Sequence, residues 1–166
     1  MMRERQYLIT YYRGLFGEPI DMRTFENRLL LQKRVYFVEE FGVPFGYTFG
    51  WYIRGPYSSD LARDGFEIES LSKIVNQKWD EMSKLIPQPN EADEDALEKT
   101  REFFSSIREV NIGESRFLEI ASSLHYLKNN WSYDNYRVAS RRLQEIKPRF
   151  SSEEIREAQN ILQELL

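Results

Sequence analysis

The chain contains no cysteine, which excludes disulfides, thiolate zinc sites and a cysteine nucleophile together. It has a single histidine, His125, so a multi-histidine metal centre is excluded as well. No segment approaches the ~20 apolar residues that a membrane-spanning helix needs, and the opening Met1-Met2-Arg3-Glu4-Arg5-Gln6 lacks the apolar stretch of a secretory signal. The expectation is a cytoplasmic protein with no membrane partner. Positive charge is also scarce: 23 Lys and Arg against 27 Asp and Glu leave a net charge of -4. Nucleic acid therefore meets no global attraction, and binding it would require a local basic face.

Apolar and aromatic side chains are plentiful. They make up 41% and 14% of the 166 residues, with eleven Phe and ten Tyr, enough to fold despite a mean hydropathy of -0.62. The length suits one domain, or one domain with a smaller helical appendage.

The apolar run Tyr7, Leu8, Ile9, Tyr11, Tyr12 predicts a short helix over residues 1–12, with a loop from Gly14 to Pro19. Asp21 or Thr24 then caps a helix over 24–41 whose apolar positions surround most of its circumference, the mark of a central helix. Gly42 ends it. Tyr47, Phe49, Trp51 and Ile53 alternate with Thr48, Gly50 and Tyr52, the period of a strand with its aromatics facing inward. Gly55-Pro56 reads as the turn that stops this strand, and Ser58 or Ser59 as the cap of the next helix. Leu71, Ile74, Val75, Met82 and Leu85 predict a further helix over 67–86 after a break at Gly65.

Residues 87–95, with two prolines and four acids, form the clearest change of composition and read as an acidic linker or exposed loop between regions 1–86 and 96–166. The second region is expected to pack on the first as one domain. Four helices are predicted there, over 96–111, 115–129, 133–147 and 152–165. Ser151 and Glu154 match a capping box, and Phe150 is placed to staple onto Ile155. The fold class is mainly α with a small β element, a short strand or hairpin, and a winged-helix arrangement is left open.

Little in the sequence suggests a reaction centre. His125 lies beside an apolar helical stripe and reads as packed or surface histidine. Glu39-Glu40 and Glu67-x-Glu69 point their carboxylates in different directions along a helix. Asp93-Glu94-Asp95 lacks the ligand spacing and glycine of a calcium loop, and Gly14-x-x-Gly17 lacks the Lys-Ser/Thr of a phosphate loop. Solvated charge and a turn are the plainer readings, and no catalytic residue, metal or cofactor is assigned. Basic residues gather at Arg137, Arg141, Arg142, Lys147 and Arg149, on the second helix of a pair joined by Asn129-Asn130-Trp131. That spacing admits a helix-turn-helix contacting DNA. A second basic group, Arg28, Lys33 and Arg34, is expected to pair with Glu26 or Glu39.

The arrangement Leu31-Gln32-Lys33-x-Val35-Tyr36-Phe37, followed by Phe49-x-Trp51-Tyr52-Ile53-x-Gly55-Pro56-Tyr57-Ser58 and Leu61, resembles the opening of the YwgA-like proteins. These are similar in turn to the SocA-like antitoxin-associated domain, also called Panacea. The likeness is confined to residues 29–61. It implies a mostly helical domain with a small β element, used for protein or nucleic-acid interaction rather than catalysis, the antitoxin group acting by binding the toxins it neutralises. No catalytic residues carry over. The implied contact surface is the turn, with Trp51, Arg54, Tyr57 and Ser58 as its candidates, and an exposed aromatic or apolar patch is expected beside it. The alternative is a DNA-binding regulator using the basic helix 133–147.

Overall fold

The computed structural model describes residues 2–84, 90–131 and 133–166. Among them are nine helices and one two-stranded antiparallel sheet, so the protein is mainly α with a small β element. The helices are α1 Met2–Phe16, α2 Phe25–Glu40, α3 Ser59–Ser70, α4 Ser72–Gln77, α5 Trp79–Lys84, α6 Glu91–Ile107, α7 Glu114–Asn130, α8 Tyr136–Ile146 and α9 Ser152–Leu165. The strands are β1 Gly50–Tyr52 and β2 Gly55–Tyr57.

Helix α2 organises the molecule. Thr24 caps its start by accepting from the Asn27 N–H at 3.1 Å, and the eight residues from Leu31 to Val38 are all buried. Two full turns buried on every side place α2 between two cores. Tyr36, Phe37 and Phe41 face one core, with Phe103 of α6 and the apolar faces of α7, α8 and α9. Leu31, Val35 and Val38 face the other, with α1, α3 and Ala96 and Leu97 of α6. Both cores therefore draw on residues from each side of the expected division at 87–95. Of that segment, 87–89 lie outside the described residues, as does Leu85. Asn90 is a helix cap and not linker: its side chain accepts from the Asp93 N–H at 2.8 Å. Glu91, Asp93 and Glu94 fill the first turn of α6, where the helix dipole favours negative charge.

Several boundaries depart from the sequence reading, two of them through tertiary packing. Helix α1 continues through Gly14 to Phe16, because the Phe16 ring meets Phe104 edge-on at 4.8 Å and this burial outweighs the helix cost of one glycine. Helix α3 runs unbroken past Gly65. A Cβ there would come within 2.8 Å of Leu31 Cδ2, so glycine is what lets α3 close on α2. The helix expected over 67–86 is divided at Leu71 and Lys78, and Leu71 and Ile74 are exposed rather than packed. The capping box at Ser151 and Glu154 is present as expected, and Phe150 and Ile155 share one core.

The last turn of α2 contains a titratable group with a clear thermodynamic consequence. Burial pushes the Glu39 carboxyl up to about 7, Glu40 adding to the shift, against the Tyr47 N–H that donates to its Oε1 at 2.8 Å. A raised folded pKa means stability that is complete below the unfolded value and lost as pH rises through 7. Glu39→Gln keeps the acceptor without the charge. By urea unfolding it should match the wild type at pH 4 and exceed it at pH 8 by on the order of 1 kcal/mol, allowing for solvent screening.

Candidate functional site

The segment between Tyr47 and Ser58 is a hairpin, not a single strand. Gly50 pairs with Tyr57, Trp51 with Pro56 and Tyr52 with Gly55, leaving Ile53-Arg54 as the turn. The Gly55-Pro56 pair expected to be the turn therefore belongs to β2, at a sheet edge where the missing proline N–H is tolerated. Ile53, expected to face inward, is 71% exposed because it lies at the tip.

Helix α2 holds this hairpin through two consecutive polar side chains. Gln32 donates its Nε2 to the Ser58 carbonyl at 2.8 Å and accepts the Ser58 N–H at 2.9 Å, the pairing of a strand made by an amide. Lys33 Nζ donates to the Pro56 carbonyl at 2.6 Å. The Ser58 hydroxyl accepts from the Leu61 N–H and starts α3. Ser58 is accordingly buried and lies off the turn surface. On the far side the hairpin presses on α7. Gly55 has φ +89°, and a Cβ there would meet Ser123 Oγ at 2.3 Å.

Between α2, the hairpin tip and α3 lies an open groove of about 470 Å³. Phe25, Leu29, Gln32 and Lys33 of α2 line one side, Tyr52 to Gly55 and Tyr57 the second, and Ala62 and Phe66 of α3 the third. Phe25, Tyr52, Ile53, Tyr57 and Phe66 are all exposed, and the Tyr52 and Tyr57 rings pack together at 5.3 Å. Every ionisable side chain in the lining, apart from tyrosine, is basic: Arg28, Lys33 and Arg54. Arg28 donates to the Met22 carbonyl at 2.9 Å. The Arg54 guanidinium stands 5.4 Å from the centre of the Phe25 ring and 3.8 Å from Glu119. Lys33 is 1% exposed, and burial lowers its pKa to about 7, with Glu119 opposing the shift.

Of the candidate turn residues, Arg54 and Tyr57 line the groove and Trp51 does not. Trp51 is half-buried against Trp131 and Tyr126 on the opposite side of the hairpin. The candidate basic helix is divided. Lys147 donates to the Ile53 carbonyl and stands over the Trp51 ring. Arg149 pairs with buried Glu119, and Arg142 with Glu145 at 3.0 Å. Arg137 and Arg141 remain exposed on α8 without a partner among the described residues. Helix α7 runs through Asn130, so the connection to α8 begins at Trp131.

The expected partners of the second basic group are also replaced. Arg34 is buried and bonded to Glu18, Glu114 and the Tyr12 hydroxyl, and neither it nor Lys33 meets Glu26 or Glu39. His125 is packed in the core. Its Nδ1 shares a 2.7 Å hydrogen bond with the Tyr36 hydroxyl and its Nε2 one of 2.8 Å with the Asn129 amide. Burial, with Lys128 nearby, lowers its pKa to about 4 and keeps the ring neutral at physiological pH. Among the described residues, no group of three or more His, Asp or Glu is placed to hold a metal ion.

Phe25, Phe66, Arg28 and Lys33 went unassigned as site residues by sequence. No sequence signal separates Phe25 from its neighbours: it follows the cap Thr24 and falls in the same apolar pattern as the buried positions of α2, yet it is exposed. The chain matches none of the family models, curated proteins or solved structures with which it was compared.

The close approach at Gly55 sets a stability test. Gly55→Ala meets both the positive φ and the Ser123 contact and should cost at least about 2 kcal/mol in urea unfolding. Gly50→Ala, whose Cβ would meet nothing within 4 Å, should change stability by less than about 1 kcal/mol.

Proposed function

We propose that this chain is a non-catalytic interaction protein of the regulatory, antitoxin-associated type, acting in the cytoplasm by docking a protein partner in the groove beside the hairpin. The observation that carries this reading is the cluster of five large exposed apolar side chains, Phe25, Tyr52, Ile53, Tyr57 and Phe66, around one concavity. Contiguous exposed apolar surface is costly in water and in soluble proteins marks contact sites. Aromatic side chains in a walled pocket are also the residue type that dominates interface energies. The frame beneath is rigid, since Gln32 and Lys33 fix the backbone of β2 and the start of α3 from a buried helix. A preorganised surface loses less freedom on association. The likeness of residues 29–61 to a domain family that works by binding supports the same reading.

The alternative, DNA contact by α8, rests on the exposed pair Arg137 and Arg141, four residues apart. Binding of that kind falls steeply with salt.

Affinity purification of the tagged chain from its native cells separates the two. Ile53→Asp at the hairpin tip should weaken a co-purifying partner by at least about thirty-fold, the loss of a hot-spot contact. The double variant Arg137→Ala, Arg141→Ala should retain it. A partner or DNA fragment lost only with the arginine variant would reverse the assignment.

A further inference from the structure

The groove combines apolar walls with charge of one sign, and that combination restricts what it accepts. Arg28, Lys33 and Arg54 contribute to its lining and no carboxylate does, in a chain whose net charge is -4. Lys33 is bonded to a backbone carbonyl alone. No carboxylate lies within 4 Å of its Nζ among the described residues, and Glu119, whose field reaches it, is already paired with Arg149. Arg54 has one carboxylate contact, at 3.8 Å, leaving most of its donor fork unused. A half-shielded guanidinium such as that of Arg54 gains from a counter-ion once a partner excludes solvent.

We infer that the groove receives an acidic amphipathic segment of the partner protein, with apolar side chains seated among Phe25, Ile53 and Phe66 and carboxylates answering Arg28 and Arg54 at its surface. The inference rests on the docking reading above and specifies its partner. A volume of about 470 Å³ holds a few side chains of such a segment, and α2 and α3 form the walls that a partner helix needs. The overall negative charge is no obstacle, because beyond about 8 Å it is screened at physiological salt whereas contacts inside the groove are not.

Three labelled peptides of about fourteen residues test this, with Leu and Phe at i, i+3, i+4 and i+7 and either Glu, Gln or Lys at the other positions. Each is titrated with the full chain and followed by fluorescence anisotropy. The Glu peptide should bind at least about tenfold more tightly than the Gln peptide, and the Lys peptide should bind more weakly still. Raising the salt should narrow the Glu-to-Gln ratio. Arg54→Gln and Arg54→Glu should reduce that ratio progressively, while Ile53→Asp weakens the Glu and Gln peptides together. Thermal melting of each variant confirms that the fold is retained. Equal binding of the Glu and Gln peptides overturns the charge inference and leaves apolar docking standing. Binding that survives Ile53→Asp, or no binding by any peptide, overturns the proposed segment. In either case the purification experiment with Ile53→Asp decides separately whether a partner docks at the hairpin.

Discussion

The side-chain amide of Gln32 is the interaction on which the arrangement of the site depends. Buried backbone groups require partners; Gln32 accepts the Ser58 N–H and donates to its C=O, which also takes the Ala62 N–H of α3. A strand of three residues in a two-stranded sheet is too short to hold itself in place. The amide supplies the missing neighbour, and Lys33 repeats the device one residue on by bonding Pro56. The hairpin tip can be apolar and exposed because its base is fixed by polar contacts that water does not reach.

Charge placement follows the same economy. Glu119 is buried on α7 and draws in Arg149 from the link between α8 and α9, while Lys147 from that link reaches the Ile53 carbonyl. Lys147 and Arg149, two of the five cations in the candidate DNA-facing group, thus fasten the carboxy-terminal segment to the hairpin and α7, while Arg137 and Arg141 stay exposed. Arg34 does comparable work near the amino end, joining α1, the following loop and the start of α7 through Tyr12, Glu18 and Glu114.

What could be read from the sequence was what local chemistry decides. Thr24, Ser58 and Ser151 cap helices where hydroxyl residues precede apolar periodicity. The all-round apolar pattern of α2 identified the central helix. What escaped was decided by distant neighbours. Gly14 stays helical because Phe16 has a partner 88 positions away, Phe104, and Gly65 is a contact point rather than a break because Leu31 lies against it. Leu71 and Ile74 keep a helical spacing yet stay half exposed. Lys33, expected to pair with Glu26 or Glu39, is bonded to Pro56 instead, and no local pattern distinguishes an ion-paired lysine from one buried to hold a hairpin. The groove was visible only as an expectation of apolar surface near the turn. Its walls come from α2 and α3, and their meeting depends on a glycine.

The unbroken burial of Leu31 to Val38 restricts how this chain can vary in length. On a helix each residue turns the chain by about 100°, so one inserted or deleted position within that span would carry following side chains around the axis and several of them into the wrong core. After a deletion before Val35, Tyr36 would take the place of Val35 and Val38 that of Phe37, and the hydroxyl that meets His125 would leave it. Loops around the hairpin can lengthen or shorten among descendants of this fold. The middle of α2 can change only by substitution.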